Sequence, residues 1–122
     1  MIIRPPAEIQ LRGTVVFLAG SIEMGSAERW QDRVCQALIA DDVTVLNPRR
    51  DDWDSSWVQS IEDASFRDQV DWELAGLSLA NVIAMYLAPG TQSPISLLEL
   101  GLYAASGKLI VCCPEGFWRK GN

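Results

Sequence analysis

Residues 81–103 read NVIAMYLAPGTQSPISLLELGLY, and this stretch decides the fold. Its first seven residues form an apolar run that is typical of a buried strand. After a short loop, Ser93 and Pro94 suit the cap and the first position of a helix. A strand that leads into a helix through a short loop indicates an α/β protein, in which ligands bind beyond the carboxyl ends of the strands.

The rest of the chain repeats this pattern of strand and helix. Strands are predicted at residues 13–19, 43–46, 81–87 and 108–112, and helices at residues 28–40, 61–80 and 94–106. This order predicts an α/β three-layer sandwich, with one parallel sheet between helices. Because crossovers are right-handed, we favour the flavodoxin-like (Rossmann-like) strand order 2-1-3-4. The first ten residues are expected to be irregular, and a fifth strand is expected to be missing.

Length and charge limit the function classes. A chain of 122 residues suits a single domain over residues 1–122. Its formal net charge of −6 repels phosphate backbones, so we expect no nucleic-acid polymer as a partner. The apolar runs are too short to cross a membrane, so no membrane partner is expected either. Three cysteines without CxxC spacing are typical of reduced thiols in a cytoplasmic protein.

The absence of histidine restricts the chemistry. It excludes Ser-His and Cys-His nucleophilic machinery and any metal site built on histidine. The sequence contains neither GxGxxG nor a GxxxxGKS or GxxxxGKT loop, so dinucleotide and nucleoside-triphosphatase functions lack support. We expect no metal and no organic cofactor, and catalysis that rests on carboxylates.

Glu99 is the first candidate catalytic residue. It is a carboxylate in an otherwise apolar helical segment, near the helix start, where the helix dipole favours a negative charge. At the ligand-binding edge of an α/β sheet such a residue can act as a nucleophile. Alternatively, Glu99 is a solvated helical residue beside Ser96 and Tyr103.

Glu73 is the second candidate acid. It continues a helical stripe of apolar residues, namely Phe66, Val70, Leu77 and Ala80, whereas Asp71 shares another face with Arg67. A carboxylate on an apolar stripe has a raised pKa, which suits a general acid. Alternatively, Glu73 lies at the edge of the stripe and pairs with an arginine.

Three loops follow the predicted strands on the ligand side of the sheet. The candidate binding residues there are Gly20 and Ser21 in the first loop, Asn47 and Arg49 in the second, and Ser93 and Pro94 in the third. Arg49 and Arg50 precede Asp51 and Asp52, so one arginine, Arg49, suits a phosphate or a base edge, or else both pair locally with these acids. Gly20 and Ser21 are otherwise a plain tight turn.

Tryptophans suggest contacts between copies of the chain. Trp53 and Trp57 fall in a polar loop and Trp118 in the tail, where they stack on a nucleobase or form an interface. We favour an interface or core role for the loop pair, and expect a homo-oligomer.

Together these segments resemble the nucleoside 2-deoxyribosyltransferase-like family. The resemblance covers residues 15–122 and rests on FLAGSI, LNPRRDDW, QVDWEL and SPISLLELGLYAASGKLIVCC. It implies a flavodoxin-like fold and chemistry at the N-glycosidic bond of a deoxynucleoside or nucleotide. The ELG-like motif makes Glu99 the nucleophile. The second acid stands eight positions before the strand-opening residue, here Asn81, which indicates Glu73; Asp71 is kept as a substrate-binding candidate.

The resemblance also implies a mechanism and leaves alternatives. Glu99 would form a glycosyl-enzyme, Glu73 would protonate the leaving base, and the two carboxyl groups would lie about 5–5.5 Å apart. The family pattern has Asp where this chain has Asn81 and Glu73, and an Asp-Gly or Gly-Thr/Ser pair where it has Gln92 and Ser93. The implied function is cleavage or transfer, with hydrolysis alone or non-catalytic nucleotide binding as alternatives. Family members often complete the site with a neighbouring subunit.

Overall fold

The computed structural model describes residues 1–23, 27–52 and 56–122. Trp53, for which a contact role was predicted, lies outside these ranges. The strands are β1 (Ile2–Ile3), β2 (Thr14–Gly20), β3 (Val43–Leu46), β4 (Val82–Tyr86) and β5 (Leu109–Cys112). The helices are α1 (Trp30–Leu38), α2 (Ala64–Leu79) and α3 (Pro94–Tyr103).

All five strands run parallel in one sheet of order β1-β3-β2-β4-β5. The order 2-1-3-4 predicted for the four longer strands is confirmed, and with it the flavodoxin-like fold class. In the central strand β2, Phe17 pairs with Leu46 on one side and with Ile83 on the other. All three side chains are fully buried, because a central parallel strand is covered on both faces.

The expectation of a wholly irregular first segment without a fifth strand was wrong. Ile2 and Ile3 pair with Val45 and Leu46 and extend the sheet at the β3 edge. The amino group of Met1 also donates to the carbonyl oxygen of Val43 over 2.9 Å. Two residues carry too little periodicity to predict a strand, and only the open edge of β3 gives them hydrogen-bond partners.

Side chains alternate across the sheet and build two apolar layers. On one face, Phe17 and Ile83 pack with Trp72 and Leu77 of α2, and α3 covers the same side. On the other face, Leu18 packs with α1. Helix α2 approaches the sheet closely at Gly76, where a Cβ would stand 2.8 Å from the Phe17 ring. The helix layers therefore lie on both faces, as right-handed crossovers require.

The loops at the carboxyl edge are held in place by glycine and by caps. Gly20 ends β2 at φ +125°, and a Cβ there would overlap the backbone oxygen of Tyr86. The side chain of Asp63 caps α2 by accepting from the backbone of Ser65 and Phe66 at 3.0 and 3.2 Å. These local features fix where β2 ends and where α2 begins.

Candidate active site

A cavity of about 470 Å³ opens at the carboxyl edge of the sheet, beside the first turns of α2 and α3. The three loops predicted to meet there do so: Gly20 follows from β2, Pro48 from β3 and Ser93 from β4. Pro94 also lines the cavity. The cavity is therefore the place where the fold would bring a ligand to the sheet.

Glu99 lines this cavity from the second turn of α3. Most of its surroundings are protein atoms, and burial raises the pKa of its carboxyl from the ordinary 4.5 to about 7. The alternative of a solvated helical glutamate does not fit this position. A carboxylate that is costly to ionise inside a ligand-sized cavity is a feature of functional sites.

Glu73 reaches the same cavity from α2, as the helical stripe predicted. Val70 and Phe66 line the cavity one and two turns before Glu73, respectively, whereas Leu77 and Ala80 continue into the core. Asp71 is exposed and does not contribute to the wall. The stripe thus passes from the cavity to the core along one face of α2. Glu73, its one acidic residue, lies where the cavity meets the core.

The charge of Glu99 acts on Glu73. Burial, and secondly the negative charge of Glu99, raise the pKa of Glu73 from 4.5 to about 8. The side-chain amide of Gln69, one turn earlier on α2, offsets part of this rise. Because the charge of Glu99 raises the pKa of Glu73, the pair titrates in two steps near neutral pH, in which Glu99 loses its proton first.

Gln69 and Glu23 also belong to the cavity wall, and sequence reasoning missed both. Gln69 donates to the backbone oxygen of Pro48 over 3.1 Å, while its Oε1 is buried without a hydrogen-bond partner. Its spacing of four residues from Glu73 was a signal that could have found it. Glu23, in the loop after β2, follows no comparable periodic pattern.

Ser21 supports the wall from behind. Its hydroxyl lies 2.8 Å from that of Thr91 and 2.7 Å from that of Ser93, and it accepts the Ala88 N–H over 2.8 Å. Ser21 is fully buried, so the structure assigns it to joining two loops. Ser93 precedes α3 as predicted, but at φ 48° its hydroxyl faces this cluster and does not cap the helix.

Asn47 and Arg49 are likewise buried behind the cavity. The Asn47 side chain accepts the backbone N–H of Arg49 over 3.1 Å. The Arg49 guanidinium donates to the backbone oxygens of Ala27 and Glu28 and to Gln31. These bonds hold the segment before α1 against the loop after β3.

Arg50, rather than Arg49, lies on the cavity wall. It pairs with Asp52 through two bonds of 2.8 and 2.9 Å and lies over the Trp57 ring at 4.9 Å. The predicted local ion pairing therefore holds for Arg50. Trp57 is half-buried in this contact, and Trp118 is 53% exposed.

The described residues provide neither a membrane-spanning helix nor a cluster of metal ligands. None of the helices there is long and apolar enough to cross a bilayer. Within the same ranges, no cluster of three or more His, Cys, Asp or Glu residues could hold a metal ion.

The family model described as nucleoside 2-deoxyribosyltransferase like matches residues 13–117, which is most of the chain. The chain belongs to the nucleoside 2-deoxyribosyltransferase-like family. No curated protein matches it in a sequence search. The matched region includes every element from β2 to β5 and therefore the whole cavity.

One departure from the pattern of this deoxyribosyltransferase-like family has a structural explanation. Asn81, which stands where an Asp was expected, accepts the Val15 N–H through Oδ1 over 2.8 Å. Its own N–H donates to the Val15 oxygen, also over 2.8 Å. An amide oxygen accepts this bond as a carboxylate oxygen would, so Asn81 anchors the start of β4 at a distance from the catalytic candidates.

The raised pKa of Glu73 predicts a pH-dependent stability. Below pH 4.5 the residue is protonated in both the folded and the unfolded chain, so ionisation costs no stability. Between pH 4.5 and about 8 only the unfolded chain readily ionises it, so stability falls as pH rises through this window. Glu73→Gln should therefore raise Tm relative to the parent at pH 8 and change it little at pH 4.

Thermal denaturation across this pH range checks the prediction. The gain in the free energy of unfolding at pH 8 is at most a few kcal/mol, since one pKa unit corresponds to about 1.4 kcal/mol. Asp71→Asn removes the same charge from the exposed face of the same helix and is the matched control. A Glu73→Gln protein whose Tm difference is constant with pH would show that the carboxyl is not desolvated.

Proposed function

We propose that the chain cleaves the N-glycosidic bond of a deoxynucleoside or nucleotide, with Glu99 as nucleophile and Glu73 as general acid and base. One observation carries this proposal: two carboxyl groups from different helices line one cavity, and burial raises the pKa of both, to about 7 for Glu99 and about 8 for Glu73. Two such acids are what a retaining glycosidase uses. The family supplies the class of substrate.

The first step breaks the bond to the base. A carboxylate oxygen of Glu99 attacks C1′ of the sugar, and the C1′–N bond breaks with its electron pair leaving on the base. The protonated carboxyl of Glu73 donates its proton to the departing nitrogen. The products are a free base, a glycosyl ester on Glu99 and an ionised Glu73.

The second step releases the sugar. Glu73, now a carboxylate, removes a proton from water as the water oxygen attacks C1′. The bond from C1′ to Glu99 breaks, and its electron pair returns to the carboxylate. Both residues regain their starting protonation states, so no metal or cofactor is needed for the cycle.

Water is the acceptor that we favour. The loop before α3 reads Gly90, Thr91, Gln92 and Ser93, so it lacks the Asp that the family pattern has there. Thr91 and Ser93 are also buried in the hydroxyl cluster with Ser21. Transfer to a second base is the alternative reaction of the same site.

Gly20 and Pro94 are the wall residues best placed to contact the sugar, since small or fixed groups allow close approach. Ser93 also lines the cavity, but its hydroxyl is held in the cluster with Ser21. Ser21, Asn47 and Arg49 act indirectly in this proposal, by holding the loops. For Asp71, exposed on α2, we propose no contact with substrate.

The first test is release of free base from deoxynucleosides and their 5′-monophosphates without added acceptor. The parent protein should release base, and added free base should change the rate little. Glu99→Ala should lower kcat about 10³-fold or more and Glu73→Gln about 10²-fold or more, whereas Asp71→Asn should stay within about twofold.

A 2-fluoro-arabino nucleoside should leave a covalent adduct on Glu99, detectable by mass spectrometry of peptides. Strict dependence on an acceptor base would replace hydrolysis by transfer. An adduct on another residue would overturn the assignment of Glu99. Binding of nucleosides without turnover by any variant would favour a non-catalytic binding protein.

The pH profile is a second prediction of this mechanism. Glu99 must be ionised and Glu73 protonated in the free protein, so kcat/KM should rise through an apparent pKa of about 7 and fall through one of about 8. In Glu73→Gln the falling limb should disappear, because the group that must stay protonated is gone. A falling limb that persists would assign the acid to another residue.

We also propose a homo-oligomer. Helix α3 exposes an apolar row beside the cavity, in which Ile95, Leu98 and Leu102 are 62–67% exposed. Ile95 itself lines the cavity, so a second copy on this row would border the site. Trp118, also exposed, remains a candidate contact.

Analytical ultracentrifugation at micromolar concentration checks this proposal. The parent should sediment as a dimer or larger assembly, and Leu102→Glu should shift it towards monomer. Leu74→Glu, at an exposed apolar position on α2, is the matched control and should not. A monomeric parent would contradict the proposal.

A further inference from the structure

Glu23 occupies an unusual position in the cavity wall. Its Oε1 accepts the backbone N–H of Ser93 over 2.7 Å and lies 3.5 Å from the Ser93 hydroxyl. Ser93 is the residue that immediately precedes α3, and Pro94, which follows it, has no N–H to offer. A carboxylate of the chain itself therefore binds at the positive end of α3, where an anionic group of a ligand would otherwise be favoured.

The backbone of Glu23 adopts an unfavourable conformation in this position. Glu23 has φ 48°, a conformation that a residue with a side chain rarely adopts. Such a conformation persists where surrounding contacts determine it, and it occurs often at binding sites. Gly20 and Ser21, just before it, are fixed by β2 and by the hydroxyl cluster, which directs the following residue towards α3.

The charged groups around the cavity also disfavour an anionic ligand. Among the described residues of its wall are three carboxyl groups, those of Glu23, Glu73 and Glu99. Among the described wall residues the single cation is Arg50, whose guanidinium is engaged by Asp52 and by the Trp57 ring. A phosphate dianion in this cavity would meet the carboxylates of Glu23 and Glu99, and the described wall residues offer only the already engaged Arg50 to compensate them.

The spacing along α3 links Glu23 to the sugar. Six residues separate Ser93 from Glu99, which is a rise of about 9 Å along a helix. With C1′ at Glu99, a sugar oriented along α3 with its exocyclic C5′ group towards the start of the helix spans this distance. A group attached to C5′ then approaches the carboxylate of Glu23.

We propose that Glu23 is a specificity-determining residue that selects nucleosides with a free 5′-hydroxyl over 5′-monophosphates. Its carboxylate accepts a hydrogen bond from a neutral hydroxyl and repels a phosphate at the same place. This inference rests on the proposed function and narrows its substrate class from nucleosides or nucleotides to uncharged nucleosides.

The test compares kcat/KM for a deoxynucleoside and for its 5′-monophosphate, using the four common bases. The parent should prefer the nucleoside by about tenfold or more. Glu23→Gln keeps an oxygen that can accept from Ser93 but removes the charge, so the preference should fall by about tenfold, mainly through a lower KM for the monophosphate. Glu28→Gln, an exposed acid on the same segment that hydrogen-bonds Tyr86, is the matched control and should keep the parent's preference.

Calorimetric binding of the same ligands separates this inference from the proposed function. If no variant releases base, the proposed function fails, but tighter binding of nucleosides than of monophosphates by the parent still supports selection by Glu23. A parent that uses or binds monophosphates at least as well as nucleosides overturns the inference, even if Glu99 is the nucleophile. An unchanged preference in a folded Glu23→Gln protein overturns it too, and so does binding of neither ligand.

Discussion

The arrangement of the site depends on one buried hydroxyl cluster. Ser21, Thr91 and Ser93 contact each other within 3.0 Å, although 72 residues separate the first from the last. In one arrangement each hydroxyl donates once, Ser93 to Ser21, Ser21 to Thr91, and Thr91 to the Ala88 oxygen, and the Thr91–Ser93 contact then contains no hydrogen. A buried hydroxyl without a partner costs about 1–3 kcal/mol, so the two loops hold one another in register. The start of α3, and with it Glu99, is positioned by this cluster.

The same region contains a carboxyl pair that opposes stability. Burial raises the pKa of both Glu73 and Glu99 well above 4.5, so near neutral pH the fold disfavours the charge that the solvent would allow. Such an arrangement costs stability, and it is typical of sites in which a proton must move at the pH of the cell. The two apolar layers around Phe17 and Leu18 stabilise the fold and offset this loss of stability.

The two arginines near the cavity, Arg49 and Arg50, are both engaged by groups of the protein itself. Arg49 is buried behind the wall and bonds backbone oxygens before α1, which leaves it no access to the cavity. Arg50 reaches the wall but is held by Asp52 and Trp57. The cavity is consequently rich in carboxyl groups, and this composition favours an uncharged ligand over an anionic one.

Local patterns in the sequence determined the α/β class, the four longer strands and their order, because periods of 2.0 and 3.6 residues report burial directly and right-handed crossovers leave few topologies. The same periodicity placed Glu73 rather than Asp71 on the inner face of α2, and the strand-to-helix junction singled out Glu99. Local patterns could not place β1, assign Ser21 and Ser93 to a shared cluster, or distinguish Arg50 from Arg49 at the wall. Nor could they bring Glu23 to the start of α3. Each of these features depends on contacts between segments far apart in the chain, up to 72 residues for the hydroxyl cluster, so only the tertiary structure decided them.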